Sequence, residues 1–159
     1  MWKLNRFSIL MASAGLILGL VSAAFAENAT RDECVAQCNA AADMVKSDQD
    51  AAIEEIGNKN GRFVWKDSYV FLMDLNGKML AHPMKPALTE KASLLDVPDK
   101  NPHAPKKLFA EFVEVAKTQG QGWVQYMWPK PGEDQPSLKD TYVSRIPGTD
   151  LFVAAGIYK

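Results

Sequence analysis

The polar side chains best suited to hold a small molecule lie in the aromatic segment Trp123–Trp128. In an extended strand alternate side chains share one face, so Tyr126 and Trp128 project on the same side as Val124. A phenol hydroxyl and an indole N–H beside flat apolar walls are the few placed polar groups that a small-molecule site needs. The alternative is that both aromatic side chains only fill a hydrophobic core.

A histidine, His82, ends a second apolar segment and stands directly before Pro83. As a ligand contact, its imidazole could donate a hydrogen bond to a carboxylate and titrate near neutral pH. As a structural residue, it would instead cap the end of a strand by bonding to loop backbone. The sequence leaves both alternatives open. The other histidine, His103, lies in a proline-flanked loop, where we expect it to be exposed.

The residue sets that catalysis requires are missing from the sequence. It contains no G-x-S-x-G, H-E-x-x-H or C-x-x-C-H motif, and two histidines with two cysteines make a poor metal inventory. We therefore predict a protein that is not an enzyme and that needs no cofactor.

The two cysteines, Cys34 and Cys38, are four positions apart in a segment with helical character. That spacing puts them on one helix face about 6 Å apart, within reach of a disulfide. We predict that they form a disulfide. A bond between two chains and a pair of packed free thiols are the alternatives, and no nearby histidine completes a metal site.

The first 26 residues have the features of a targeting segment. Lys3 and Arg6 form a positive region, Ser8–Val21 is apolar, and Ala24–Ala26 is an A-x-A cleavage site. We predict a cleaved signal peptide over residues 1–26 and a mature, exported domain over residues 27–159, in the periplasm or secreted. An uncleaved membrane anchor is the competing interpretation, but the apolar run is short for a span of about 20 residues.

The charge of the chain argues against two classes of partner. Removing residues 1–26 leaves 16 basic and 19 acidic residues, a net charge of −3. Nucleic acid and anionic membrane surfaces both require a concentrated basic patch. The remaining length suits one domain with one core.

Two segments carry the spacing of amphipathic helices. Thr30 and Glu33 form a capping box, and apolar residues recur every three to four positions until Gly57, so we predict one long helix over Thr30–Ile56. Its shallow stripe of Ala and Cys favours close packing on a sheet or on a partner helix. The second predicted helix is Leu108–Thr118.

Five segments have the character of strands. Asn76-Gly77 between two apolar runs predicts a hairpin, because both residues tolerate the positive φ of a tight turn, which we expect Asp74 to organise. Short links favour an antiparallel sheet with helices on one face. The proline-rich stretch 83–105 predicts an irregular loop with a helical turn near Ala92–Leu95. The predicted strands, which follow a short apolar entry at Phe63–Trp65, are Tyr69–Asp74, Met79–His82, Trp123–Trp128, Thr141–Ile146 and Leu151–Tyr158.

Four motifs in this order resemble the single-Cache (type 2) domains, which are extracytoplasmic sensor modules of bacterial chemoreceptors and histidine kinases. The resemblance covers the whole chain after residue 26. It implies an α+β fold, a PAS-like five-stranded antiparallel sheet with a long N-terminal helix and a second helix in the middle crossover. It also implies a pocket for a small organic acid or similar metabolite. The motifs are Asp74–Pro83, Gly120–Pro131, Lys139–Val143 and Gly156–Tyr158.

The same resemblance places a lysine just before the fourth strand, which makes Lys139 the candidate counter-charge for an acid. An ordinary surface lysine is the alternative. Tyr142, Tyr69, Trp65 and Tyr158 are further candidates for the walls of the pocket. Residues 99–105 stand where the family usually has a glycine-rich segment. This replacement could reshape the lid over the pocket.

From these features we predict an extracytoplasmic protein that binds a monocarboxylate or similar small acid. Because the sequence stops after its last predicted strand, we expect a freestanding binding protein that reports to a separate membrane receptor or kinase. The alternative is a non-catalytic interaction protein that forms a homodimer, or binds a receptor, through its long N-terminal helix.

Overall fold

The computed structural model describes residues 28–159, which form three α-helices and six β-strands. The predicted signal peptide lies outside these residues. Within the described range, no helix is both long enough and apolar enough to cross a membrane. A short 3₁₀ helix, Pro86–Glu90, lies between the third strand and the third helix. The elements are α1 Arg31–Ser47, α2 Gln49–Gly57, β1 Val64–Trp65, β2 Ser68–Asp74, β3 Met79–Ala81, α3 Leu108–Thr118, β4 Gln121–Pro129, β5 Pro136–Arg145 and β6 Leu151–Tyr158.

The first predicted helix is in fact two helices. The capping box is confirmed: the Glu33 N–H donates to Thr30 Oγ1, and the Thr30 N–H donates to the Glu33 carboxylate. The prediction of one unbroken helix to Ile56 is wrong, because Asp48 adopts an extended conformation and ends α1. The Asp48 carboxylate then accepts a hydrogen bond from the Ala51 N–H and caps α2.

The strands form one antiparallel arrangement in the order β1-β2-β6-β5-β4, with β3 also paired to β2. The predicted α+β class and antiparallel sheet are confirmed. The predicted count of five strands is one too few, because the short apolar entry pairs with β2 as a strand of its own. The β2–β3 turn is also as predicted: Asp74 Oδ1 accepts hydrogen bonds from the N–H groups of Asn76 and Lys78.

Helices cover both faces of the sheet, so the prediction of helices on one face is wrong. Helices α1 and α2 pack on one face, and α3 packs on the other together with the loop before it. The continuous apolar run in β2 reflects this, since a strand buried on both faces has no polar alternation. The predicted bounds of α3 are confirmed, whereas the helical turn lies at Pro86–Glu90 rather than near Ala92–Leu95.

The predicted disulfide between Cys34 and Cys38 is absent, and both residues are free thiols. Both side chains are fully buried where α1 lies on the sheet, among Ala41, Val45 and the strand residues beneath them. The Cys34 thiol lies 3.9 Å from the Ser68 hydroxyl of β2. The Ala- and Cys-rich stripe of α1 therefore packs on this chain's own sheet, not on a partner helix.

Candidate functional site

A buried cavity lies between the sheet and α3, on the face opposite α1. Its volume is about 10 Å³, which is close to the minimum that holds one water molecule. Eight of its nine lining residues are apolar or aromatic, and the ninth is a histidine. The lining residues are Tyr69, Phe71, Met79, His82, Leu108, Phe109, Phe112, Tyr126 and Trp128. Two larger hollows, of about 520 and 420 Å³, lie at the surface and involve none of the predicted ligand-binding residues.

Lys139 lies on this face of the sheet and is the only fully buried lysine of residues 28–159. Its Nζ has no hydrogen-bond acceptor among those residues. The ammonium group lies 4.0 Å from the ring centroid of Tyr69 and 4.6 Å from that of Tyr158, so aromatic faces are its neighbours. Gly156 of β6 makes this position possible, because a Cβ there would lie 2.8 Å from Lys139 Cε.

The strand pairing explains why these groups meet. Lys139 in β5 is the cross-strand partner of Tyr126 in β4 and of Tyr158 in β6, and directly paired side chains share a face. The predicted alternation in β4 is confirmed, because Val124, Tyr126 and Trp128 all belong to the core on the α3 side. The ring of Trp128 meets the ring of Phe109 edge-on, with 6.1 Å between centroids.

His82 both lines the cavity and holds the chain that leaves β3. Its Nδ1 accepts hydrogen bonds from the N–H groups of Met84 and Lys85, at 3.2 and 3.0 Å. Burial, and then the positive charge of Lys139, lower the pKa of His82 to about 3. The imidazole is therefore neutral at pH 7 and carries its proton on Nε2. The titration near neutral pH that the sequence allowed does not occur.

Tyr126 presents a second polar group to the cavity. Its hydroxyl forms a 2.9 Å hydrogen bond with Thr141 Oγ1, a residue that the sequence pattern did not single out. Burial, and then the neighbouring Tyr69, raise the pKa of Tyr126 well above its ordinary value, so the phenol stays protonated. The signal for Thr141 was its spacing: it stands two residues after Lys139 and hence on the same face of β5.

Two predicted wall residues lie elsewhere. Tyr142 is three positions after Lys139, so strand alternation turns it to the opposite face, where its hydroxyl donates to Gln121 Oε1 at 2.8 Å. Trp65 packs against the core under α1 and α2. The pairing of β1 with β2 explains this, because Val64 is the partner of Tyr69 and the next side chain must point the other way. The structure therefore does not bring Tyr142 and Trp65 to the cavity.

The loop between β3 and α3 is held against the edge strand β4. The Asp99 carboxylate accepts hydrogen bonds from the N–H groups of Met127 and Lys106, at 3.0 and 3.1 Å. The Lys100 N–H donates back to the Met127 carbonyl. These bonds fix the segment that replaces the expected glycine-rich lid, and His103 within it is exposed as predicted.

Known proteins share both this sequence pattern and this fold. The family model of the Cache domain matches residues 34–159. The chain is 34% identical over 92 residues to methyl-accepting chemotaxis protein McpP of Pseudomonas putida, covering 58% of this chain and 16% of that protein. It is 29% identical over 117 residues to sensor histidine kinase MctS of Rhizobium johnstonii, covering 73% of this chain and 24% of that protein. The matches therefore span less than a quarter of either relative.

A solved structure agrees with the family match. Described as "Structural basis for carboxylic acid recognition by a Cache chemosensory domain", it superposes with a TM-score of 0.62 at 26% identity, covering 77% of this chain and 84% of that one. Cache domains are ligand-binding sensor modules of chemotaxis receptors and histidine kinases. From the match over residues 34–159, the sheet with helices on both faces and the buried pocket, we conclude that this chain belongs to the Cache domain family.

Proposed function

We propose that this domain binds a small monocarboxylic acid in the cavity beneath α3 and so acts as an extracytoplasmic sensor. The observation that carries the proposal is the Lys139 ammonium group, which is buried without an acceptor among residues 28–159. Lys139 does not itself line the cavity; its ammonium group lies 4.0 Å from the ring centroid of Tyr69, which does. A buried charge is costly unless a partner of opposite charge compensates it. A carboxylate bound next to Tyr126 would supply that partner.

The lining of the cavity favours a ligand with one negative charge. No carboxylate side chain is among its nine lining residues, so the ammonium group of an amino acid would find no anionic acceptor there. The neutral His82 and the protonated Tyr126 add hydrogen-bond donors for the acid. Tyr69 and Trp128 provide flat apolar walls for a short carbon chain. The carboxylic acid recognition described for the similar Cache structure supports the same ligand class.

The size of the cavity favours the shortest acids. A volume of about 10 Å³ admits such a ligand only if lining side chains move outward, and acids of two or three carbons require the smallest displacement. Acetate, propionate, pyruvate and lactate are therefore the first candidates.

The relatives also support a proposal about where the domain acts and what it reports to. We propose that it is exported by its N-terminal segment and that its ligand state is passed to a membrane receptor or kinase, the protein classes in which the curated relatives stand. A homodimer is not required by α1, because its apolar stripe already packs on the sheet.

Isothermal titration of the exported domain with each acid tests the proposal, with glycine and alanine as amino-acid comparisons. Lys139→Met should weaken binding at least about tenfold, because it removes a charged hydrogen bond but keeps the length of the side chain. The matched control is Lys59→Met, which changes an exposed lysine in a turn and should bind as the wild type does. If none of the acids binds at millimolar concentration, or if Lys139→Met binds as tightly as the wild type, the proposal is wrong.

A further inference from the structure

The hydrogen bond between Tyr126 and Thr141 leaves one hydroxyl hydrogen without an acceptor. Both side chains are buried, and their mutual 2.9 Å contact is the one side-chain hydrogen bond that either makes within residues 28–159. Each hydroxyl has one hydrogen to donate, and a single bond between the two uses only one of them. A buried donor without an acceptor is costly, so the pair is suited to a further acceptor.

The positions of the two hydroxyl groups show which of them can donate its hydrogen to an acceptor outside the pair. Thr141 Oγ1 lies directly over the backbone of β6, where a Cβ on Gly156 would come within 2.3 Å of it. Thr141 does not line the cavity, whereas Tyr126 does. Of the two hydroxyl groups, that of Tyr126 therefore lies on the cavity side, and its hydrogen is free to reach a bound molecule when Thr141 is the donor within the pair.

We propose that Thr141 is a positioning residue of the acid site: its hydroxyl donates to the Tyr126 oxygen and thereby turns the Tyr126 O–H toward the bound carboxylate. This inference rests on the proposed function. Tyr126 and Lys139 are cross-strand partners, so the phenol and the ammonium group approach the ligand from the same level of the sheet. A carboxylate has two oxygens, one for each donor.

Titration of acetate and propionate into four variants tests this role. We expect Thr141→Val to weaken binding about threefold to tenfold, since it keeps the shape of the side chain but removes the donor. Thr141→Ser should restore most of the affinity. Tyr126→Phe should also weaken binding, and the double variant Tyr126→Phe/Thr141→Val should bind no worse than Tyr126→Phe alone, because Thr141 acts only through the phenol.

Four outcomes overturn the inference. The first is a Thr141→Val protein that binds as the wild type does, and the second is a Thr141→Ser protein that binds as weakly as Thr141→Val. The third is a double variant whose losses add, which would give Thr141 a purely structural effect. If the wild type binds no acid at all, the proposed function and the inference both fail, whereas the first three outcomes leave the proposed function standing. Thermal unfolding of each variant checks the fold, and Thr141→Ala carries the same expectation if Thr141→Val does not fold.

Discussion

On the face covered by α1 and α2, helix residues with small side chains lie directly on the strands, and on the face covered by α3, aromatic rings meet around a cavity. Cys34, Cys38 and Ala41 allow the close approach on the first face, and all three are fully buried. On the second face, Phe112 and Trp128 are among the side chains that leave a cavity between them. One sheet thus carries a face covered by small side chains and a face whose aromatic side chains enclose a cavity of about 10 Å³.

Two neighbouring residues of β5 show the same contrast in their polar contacts. Asp140 points toward α1, and its carboxylate accepts hydrogen bonds from Arg31, Lys159 and Gln125. Although burial raises its pKa, the hydrogen bonds from Lys159, Gln125 and Arg31 hold the pKa of Asp140 below its ordinary value. Lys139, one position earlier, points to the α3 side of the sheet and has no acceptor in the described chain. The face proposed to bind the acid thus leaves a charge unpaired among residues 28–159, whereas the face under α1 pairs its charge.

Phe112→Ala should have the largest effect of the changes that probe this contrast. The Phe112 ring lies 5.7 Å from Phe71, 5.9 Å from Phe109 and 5.4 Å from Tyr126, between centroids. We expect it to lower the free energy of unfolding by about 3–5 kcal/mol, measured by urea denaturation. Glu114→Ala, on the exposed side of the same helix, should change it by less than about 0.5 kcal/mol. A loss below about 1 kcal/mol for Phe112→Ala would mean that the α3 face contributes little to stability.

Asp140→Asn should have the next largest effect and should act on stability alone. Its partners Arg31 and Lys159 are about half exposed, so we expect a loss of about 1–2 kcal/mol, less than for a fully buried ion pair. Because the folded-state pKa of Asp140 is lowered, this contribution is present above the unfolded pKa near 4 and is lost as pH falls through the folded pKa.

Urea denaturation at pH 7 and at pH 3 measures that change. The difference between wild type and Asp140→Asn should shrink at pH 3, and acid binding at pH 7 should be unchanged. An equal difference at both pH values would contradict the assigned hydrogen bonds.

Lys139→Met should have the opposite sign from Asp140→Asn. We expect it to raise the free energy of unfolding of the domain without added acid by about 1 kcal/mol, since removing an uncompensated buried charge outweighs the loss of its contacts with Tyr69 and Tyr158. Differential scanning calorimetry without added acid measures this, with Lys59→Met as the matched control. A lower melting temperature for Lys139→Met would show that the aromatic contacts dominate.

Adding a reducing agent should have the smallest effect: we expect no change in the stability of the folded domain. Burial raises the pKa of the Cys34 thiol to about 11, and burial also raises the pKa of the Cys38 thiol. Both should resist alkylation by iodoacetamide at pH 8 in the folded protein and react in urea. The melting temperature should be the same with and without dithiothreitol. A melting temperature that falls on reduction would restore the disulfide that the sequence suggested.

Much of this molecule follows from interactions over a few residues. The capping box at Thr30, the Asp74 turn and the bounds of α3 were all predictable, because each depends on residues within four positions or on one periodic pattern. The facing of Tyr126 and Trp128 followed from the alternation of one strand. The same rule, applied from Lys139 onward, would have placed Tyr142 on the other face and Thr141 on this one.

The break at Asp48 was harder to predict, because an aspartate within an otherwise periodic stretch is compatible with the exposed side of a continuous helix. Its capping role becomes visible only once its extended conformation is known. In the same way, the spacing of Cys34 and Cys38 allowed a disulfide, and only the packing of α1 on β2 shows that the thiols are occupied by core contacts.

The sequence by itself determined the family and most of the helices and strands, apart from the break at Asp48 and the short strand β1, because short-range hydrogen bonds and side-chain periodicity depend on consecutive residues. Only the tertiary structure decided that Lys139 is buried without an acceptor among residues 28–159, that His82 is neutral, and that Thr141 is the hydrogen-bond partner of the Tyr126 hydroxyl. Those properties arise from the pairing of β4, β5 and β6 and from burial under α3, which bring together groups distant in the chain. Charge state and hydrogen-bond satisfaction depend on that surrounding medium, and no local pattern specifies it.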